Sequence, residues 1–401
     1  MSRPLNILIV AGEASGDAHA GALMRELKAR LPDVRFFGMG GPRMREQGLE
    51  ALYDASEIAV MGIGEVLPKL VRICGVLRGL ARAAEARRPD LAILVDVPDF
   101  NLRLAKRLRR LAVPVAYYIS PMVWAWRPRR VAQIRRVVDT MLCILPFEEA
   151  WLRERGVEAL YVGNPVVDAL PAPAPAAQFR ERLGLETHRR TLALLPGSRV
   201  SEISRVLPTM IAAAERILAT RGDMQVVVPV APMLDRDWLA ARFAGSTIRP
   251  RLVDGRACEA VGASDAAIVC SGTAALEAGL MQRPFVVVYR VTLLTELVFK
   301  LFTRIQHVSL INLLAGRRLV PELLQRDFTP ERVAAEVGRW LDDEAAREEL
   351  VRGLAAVRET LGPPGASARA AEAVVSLLRR IESQPAGALT VQVEPSPQVK
   401  P

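Results

Sequence analysis

The 401-residue sequence is poor in the residues that most often announce a mechanism. Its four cysteines, Cys74, Cys143, Cys258 and Cys270, stand far apart without C-x-x-C spacing. They read as small core residues in a reducing compartment, which speaks against a disulfide framework or a thiolate metal site. The three histidines, His19, His188 and His307, are equally scattered and offer no metal-ligand spacing. Aromatics make up 5% of the chain and no nucleic-acid motif occurs, so nucleic acid is not an expected partner. No uncharged apolar run reaches the roughly 18 residues needed to span a bilayer. The opening MSRPLNILIVAGE meets Glu13 directly after a short apolar run, and is expected to be a first β-strand rather than a signal peptide. The expected place is the cytoplasm. The first glycine-containing turn, Gly12 to Asp17, is neither a Walker loop nor G-x-G-x-x-G, which removes the warrant for ATP hydrolysis or NAD binding.

What is present is apolar and basic. Hydrophobic residues are 51% of the chain and the formal net charge is +10, contributed mostly by arginine. Such a surface suits phosphorylated small molecules or an anionic membrane. The length allows two domains of ordinary size, each with its own core. Short buried runs alternate with helical patterns, which predicts an α/β protein with parallel sheets covered on both faces. In the first half the expected strands are Ile7 to Ala11, Val34 to Phe37, Leu49 to Tyr53, Leu91 to Val95, Pro114 to Ile119, Thr140 to Leu145 and Leu160 to Val162. Gly38 to Pro42 reads as the turn after the second of them.

The proline- and alanine-rich stretch Asn164 to Gln178 reads as an interdomain linker. The expected organisation is a first Rossmann-like domain over 1–165, a linker over 166–180 and a second Rossmann-like domain over 181–360. A C-terminal helix over 361–382 packs back on the first domain or on a partner, and a disordered tail covers 383–401. Second-half strands are expected at Thr191 to Leu195, Met224 to Val230, Ile248 to Val253, Ala266 to Cys270 and Phe285 to Tyr289. Open parallel sheets take ligands at the carboxyl ends of their strands, so two of them joined by a linker are expected to face each other across a cleft.

Two strand-to-helix junctions in the second half carry the chemistry. In TLALLPGSRVSEISR, Gly197 lets backbone approach a ligand, Ser198 and the amides of the new helix favour an anion, and Arg199 adds a planar cation suited to phosphate. The alternative for this segment alone is an ordinary turn with a surface arginine. The second junction, Ser271-Gly272-Thr273, again offers hydroxyls and amides. Glu277, four residues into that helix, is placed to accept both hydroxyls of a ribose, unless it is merely a solvated helix position. Together they predict a nucleoside diphosphate held by the second domain. Between Ile58 and Arg88, Ile63, Val66, Leu67, Leu70, Ile73, Leu77 and Leu80 recur at helical spacing among Lys69, Arg72, Arg78 and Arg82. This stripe either packs the first domain's core or leaves an apolar, basic face for a membrane.

The motifs AGEASGD, DVPDFN, SPMVWAW, VGNP, LLPGSRVSE, SGTAALE and VPELLQ, in this order from about Ile7 to Leu324, resemble the lipid-A-disaccharide synthase family. That resemblance implies an inverting glycosyltransferase of two-Rossmann GT-B architecture. It implies transfer from UDP-2,3-diacylglucosamine to 2,3-diacylglucosamine 1-phosphate (lipid X), giving a β-1′,6-linked disaccharide phosphate and UDP. Carried over residue by residue, it places the nucleotide on Gly197, Ser198, Arg199, Glu202, Ser271, Gly272, Thr273, Glu277, Asn312 and Gln325. It places the acceptor side on Glu13, Ser15, Asp17, Glu65 and Asn101. The acceptor's 6-hydroxyl needs a base, and Asp99, just past the strand Leu91 to Val95, is expected to be that catalytic base, with Glu13 and Asp17 as its rivals and Asp96, nearer the strand, in a structural role. Phe100 and acyl chains are expected to desolvate Asp99. No metal or cofactor is implied, and no D-x-D pair stands near these loops. The implied location is the cytoplasmic face of the inner membrane, with homodimerisation left open. Two other readings share the layout: a nucleotide-sugar binding protein without catalysis, and a UDP-GlcNAc epimerase or another GT-B transferase.

Overall fold

The computed structural model describes residues 4–58, 63–125, 127–232, 234–291 and 307–383, and the side chains of 63–69 lie outside that description. The chain divides into two compact units, Met1–Asp168 with Pro364–Pro401, and Ala169–Pro363.

The first unit is built on seven parallel strands: β1 (Asn6–Ala11), β2 (Arg35–Gly40), β3 (Leu49–Asp54), β4 (Leu91–Val95), β5 (Val115–Tyr118), β6 (Thr140–Cys143) and β7 (Ala159–Tyr161), in the order β3-β2-β1-β4-β5-β6-β7. Because side chains alternate across a strand, β1 and β4 feed two cores at once. Leu8, Val10, Ala92 and Leu94 pack with helix α3 (Ile63–Arg87) through Val76, Leu77 and Leu80, and with α4 (Pro98–Arg110) through Leu104 and Leu108. Ile7, Ile9, Ile93 and Val95 face the other way, onto Leu23, Met24 and Leu27 of α1 (Ala14–Arg30) and onto Ala370, Val374 and Leu377 of the helix Ala366–Ser383. Burying each of these large aliphatic groups contributes about 1.5–3 kcal/mol, which is why the strands read as unbroken apolar runs.

Where the chain leaves this unit and returns to it, the Asp168 carboxylate accepts the backbone N–H groups of Gly365, Ala366 and Ser367 at 2.7, 3.2 and 3.2 Å. The stretch expected to be a bare linker is partly ordered: Pro165–Ala169 and Ala176–Arg182 are short helices, and Val166, Val167 and Phe179 are buried. Pro165 opens its helix in the first position, where the missing N–H costs nothing. Gly38 to Gly40, read as a turn, continue β2 instead. At Gly38, with φ 145°, a Cβ would lie 2.1 Å from the Ile9 carbonyl oxygen, so only glycine lets β2 run this close to β1.

The second unit repeats the plan with β8 (Arg190–Leu195), β9 (Met224–Val230), β10 (Arg251–Asp254), β11 (Ala266–Cys270), β12 (Phe285–Tyr289) and β13 (Glu322–Leu324), all parallel in the order β10-β9-β8-β11-β12-β13. β10 starts only after Pro250, which has no N–H for a ladder, rather than at Ile248. The edge strand β13 is three residues long and had no apolar run to announce it.

Candidate active site

In each sheet the strand order reverses once, between β1 and β4 and between β8 and β11. At such a switch point the loops leaving the two carboxyl ends diverge to opposite faces and open a crevice. The four loops there are Gly12 to Asp17, Asp96 to Asn101, Pro196 to Glu202 and Ser271 to Glu277, the segments that carry most of the candidate residues.

In the second unit, Gly197 takes φ 108°, and a Cβ on it would meet the Glu202 carboxylate at 2.3 Å. Glu202 is half-buried over this turn, with hydrogen bonds from the Ser198 N–H and the Cys270 thiol, and burial raises its pKa. It therefore shapes the turn that carries Gly197 and Ser198. Ser198 and Arg199 are exposed, and Arg199 caps the helix Val200–Arg221 with its carbonyl accepting from Ile203 at 2.9 Å. Gly272, at φ 148°, begins the helix Thr273–Leu280, and nothing lies within 4 Å of where its Cβ would be, so backbone there is open to a ligand. Ser271 is half-buried and Thr273 exposed beside it. Glu277 is half-buried, its pKa raised by burial, and it takes a hydrogen bond from the Cys258 thiol. Gln325, at φ 52°, accepts the Val291 N–H at 2.9 Å.

Asn312 sits inside the fold. It is fully buried; its amide donates to the Val320 carbonyl at 2.9 Å and to Glu322 at 2.8 Å, and its oxygen accepts from Leu319 and Val320, both at 2.8 Å. These four bonds fill its capacity and make it a brace for the turn before β13.

In the first unit, Glu13 is the half-buried N-cap of α1 and Ser15 is exposed in its first turn. Asp17 is 4% exposed, and its carboxylate accepts from the backbone of Gly41, Arg43 and Met44 at 2.7, 2.9 and 3.1 Å. It fastens the short helix α2 (Pro42–Glu46) to α1. Asn101 is likewise buried, donating to the Val95 and Asp96 carbonyls at 3.0 and 2.8 Å, so it too supports the loop. Glu65 lies outside the described side chains.

Asp99 stands in the first turn of α4, 59% exposed, in ion pairs with Arg130 and, at 3.5 Å, Arg127. Phe100 does not desolvate it, because that ring is turned into the core at 5% exposure. Asp96, expected from the sequence to be structural, has the more unusual surroundings. Its φ is 50° and that of Val97 is 42°, two consecutive left-handed residues without a glycine. The strained turn is held by the Asn101 amide and by the Tyr117 hydroxyl, which donates to the Asp96 carbonyl at 2.5 Å. Burial, and then the charge of Glu13, push the Asp96 carboxyl up to about 6. Its signal was available: it is the first residue after a fully buried strand at a switch point. Glu148 was also missed. It is 1% exposed, pushed up to about 7 by burial, and receives the Trp124 indole N–H at 3.0 Å, while Trp124 packs edge-on against Phe147.

Two α/β units, each with its candidate loops at a switch point, define the GT-B class, and solved structures share the fold. The calicheamicin glycosyltransferase CalG4 matches with a TM-score of 0.59 at 16% identity, covering 95% of this chain and 100% of that one. A UDP-GlcNAc 2-epimerase from Neisseria meningitidis, bound to UDP-GlcNAc, matches with a TM-score of 0.59 at 12% identity over 94% and 100%. The sequence narrows the class. Residues 7–370 match a family model described as lipid-A-disaccharide synthetase. The lipid-A-disaccharide synthase of Myxococcus xanthus is 62% identical over 94% of this chain and 99% of its own length. The chain belongs to the lipid-A-disaccharide synthase family.

Proposed function

We propose that the protein condenses UDP-2,3-diacylglucosamine with 2,3-diacylglucosamine 1-phosphate, forming the lipid A disaccharide phosphate and UDP by inversion. The observation that carries this reading is the family match, which runs through all four switch-point loops. The donor's diphosphate lies on the Gly197–Arg199 turn and the open backbone at Gly272, with Ser271 and Thr273 supplying hydroxyls. Glu277 accepts the ribose diol. As the anomeric C–O bond to UDP breaks, Arg199 and the backbone N–H groups take up the charge on the leaving diphosphate.

The acceptor's 6-hydroxyl needs a base as its oxygen bonds to the anomeric carbon. Asp96 receives that proton: a carboxyl near 6 is ionised at neutral pH and still basic enough to draw the proton away. Its strained backbone, fixed by Tyr117 and Asn101, is the kind of over-determined geometry that functional sites retain. This reading places the base at Asp96 and not at Asp99, one of whose oxygens is engaged by Arg127 and Arg130.

The acyl chains call for a membrane, and α3 supplies the surface for it. Val76, Leu77 and Leu80 belong to the core, but Leu70 and Val71 are 44% and 84% exposed beside the exposed Arg72 and Arg78. We place this face on the cytoplasmic leaflet of the inner membrane. Among the described residues no helix is long and apolar enough to cross a bilayer. The test is UDP release from the diacyl UDP-sugar, which must depend on the lipid acceptor. Release at the same rate without acceptor refutes the condensation.

A further inference from the structure

The loop after β5 carries features that the transfer reaction as described leaves unused. Arg127 and Arg130 converge on one oxygen of Asp99, Arg127 at 3.5 Å, and that carboxylate is 59% exposed. Arg127 holds φ 58°, a left-handed turn that sends the chain directly into the short helix Pro128–Arg130. Two guanidinium groups aimed at one solvent-facing anion at a strand's carboxyl end form a ready phosphate clamp, because each fork matches two phosphate oxygens. The same loop exposes Met122, at 46%, and its Trp124 packs against Phe147, itself 36% exposed. The clamp is therefore next in sequence to apolar surface, which favours an acylated sugar phosphate over free phosphate.

We propose that Arg127 and Arg130 bind the anomeric phosphate of the acceptor, and that Asp99 is its stand-in in the free protein. The inference rests on the condensation reading above. When the acceptor arrives, its phosphate displaces Asp99 from the guanidinium groups, so Asp99 acts as a latch that the correct acceptor must open. An acceptor lacking the phosphate leaves the latch shut. The clamp thereby selects the phosphorylated sugar and fixes which end of it is turned away from the base.

The test compares two acceptors, 2,3-diacylglucosamine 1-phosphate and the same sugar with a free anomeric hydroxyl, in wild type, Arg130→Lys, Arg127→Ala and Asp99→Asn. UDP release is the readout, and a thermal unfolding profile like that of wild type shows that each variant is folded. In wild type the phosphorylated acceptor should have the lower KM by about 10–100-fold, the range for hydrogen bonds between charged groups. Arg127→Ala and Arg130→Lys should lose most of that preference by raising only the phosphorylated acceptor's KM, with kcat within a few-fold. Asp99→Asn should lower that KM. Preference retained in both arginine variants, or an unchanged KM in Asp99→Asn, overturns the clamp while leaving the condensation intact. No acceptor-dependent release by wild type overturns the condensation itself.

Discussion

Asp96→Asn is the perturbation from which most can be learned. The carboxyl of Asp96 is pushed up to about 6, first by burial and then by the charge of Glu13. A general base works only when deprotonated, so kcat/KM should rise with pH along a limb with its midpoint near 6 and be lost below it. Asn cannot take a proton, and the variant should lose roughly 10²–10⁴-fold in turnover while binding UDP as wild type does. Glu13→Gln removes the second cause of the raised pKa, so its limb should move to lower pH, by less than the whole shift because burial remains. Initial rates of UDP release between pH 4.5 and 8, at fixed ionic strength, measure all three proteins. The reasoning is refuted if Asp96→Asn keeps most of its turnover. It is equally refuted if the acidic limb stays in place in Glu13→Gln and disappears in Asp99→Asn.

Other consequences are separately measurable. Glu277→Gln should weaken UDP binding by about 1.5–3 kcal/mol by calorimetry, and removing the ligand's 2′-hydroxyl should cost the wild type more than the variant. Leu70 and Val71 changed together to serine should reduce co-sedimentation with anionic vesicles and leave UDP binding intact, since both side chains are exposed. Glu148 should make stability pH-dependent. Its folded pKa of about 7 is above the ordinary 4.5, so its contribution is full below pH 4.5 and lost as pH rises through 7. The loss is of order 3 kcal/mol, and the fall in Tm between pH 5 and 8 should flatten in Glu148→Gln.

The scaffold was legible because parallel strands buried on both faces leave unbroken apolar runs, and Leu91 to Val95 and Ala266 to Cys270 were read to the residue. β13 was not, since three edge residues carry no period. The turns at Gly197 and Gly272 were legible because their positive φ is a local backbone property that glycine supplies. What stayed hidden in the sequence is of another kind. Asp17 and Asn312 sit where ligand-binding residues sit, but their partners come from segments a local reading does not connect: Gly41 to Met44 for the first, and Leu319 to Glu322 for the second. The raised pKa of Asp96 was hidden in the same way, because its burial, and then the charge of Glu13 brought beside it by the pairing of β1 with β4, come from the fold.

The central claim is one inverting condensation at these loops, and proton NMR of the reaction mixture tests it most directly. With both substrates present, the account predicts one UDP for each new disaccharide, the anomeric coupling of a β-linkage, and no reaction of the UDP-sugar alone. An α-linked product, free diacylglucosamine formed by hydrolysis, or a UDP-sugar epimerised at its second carbon would contradict it.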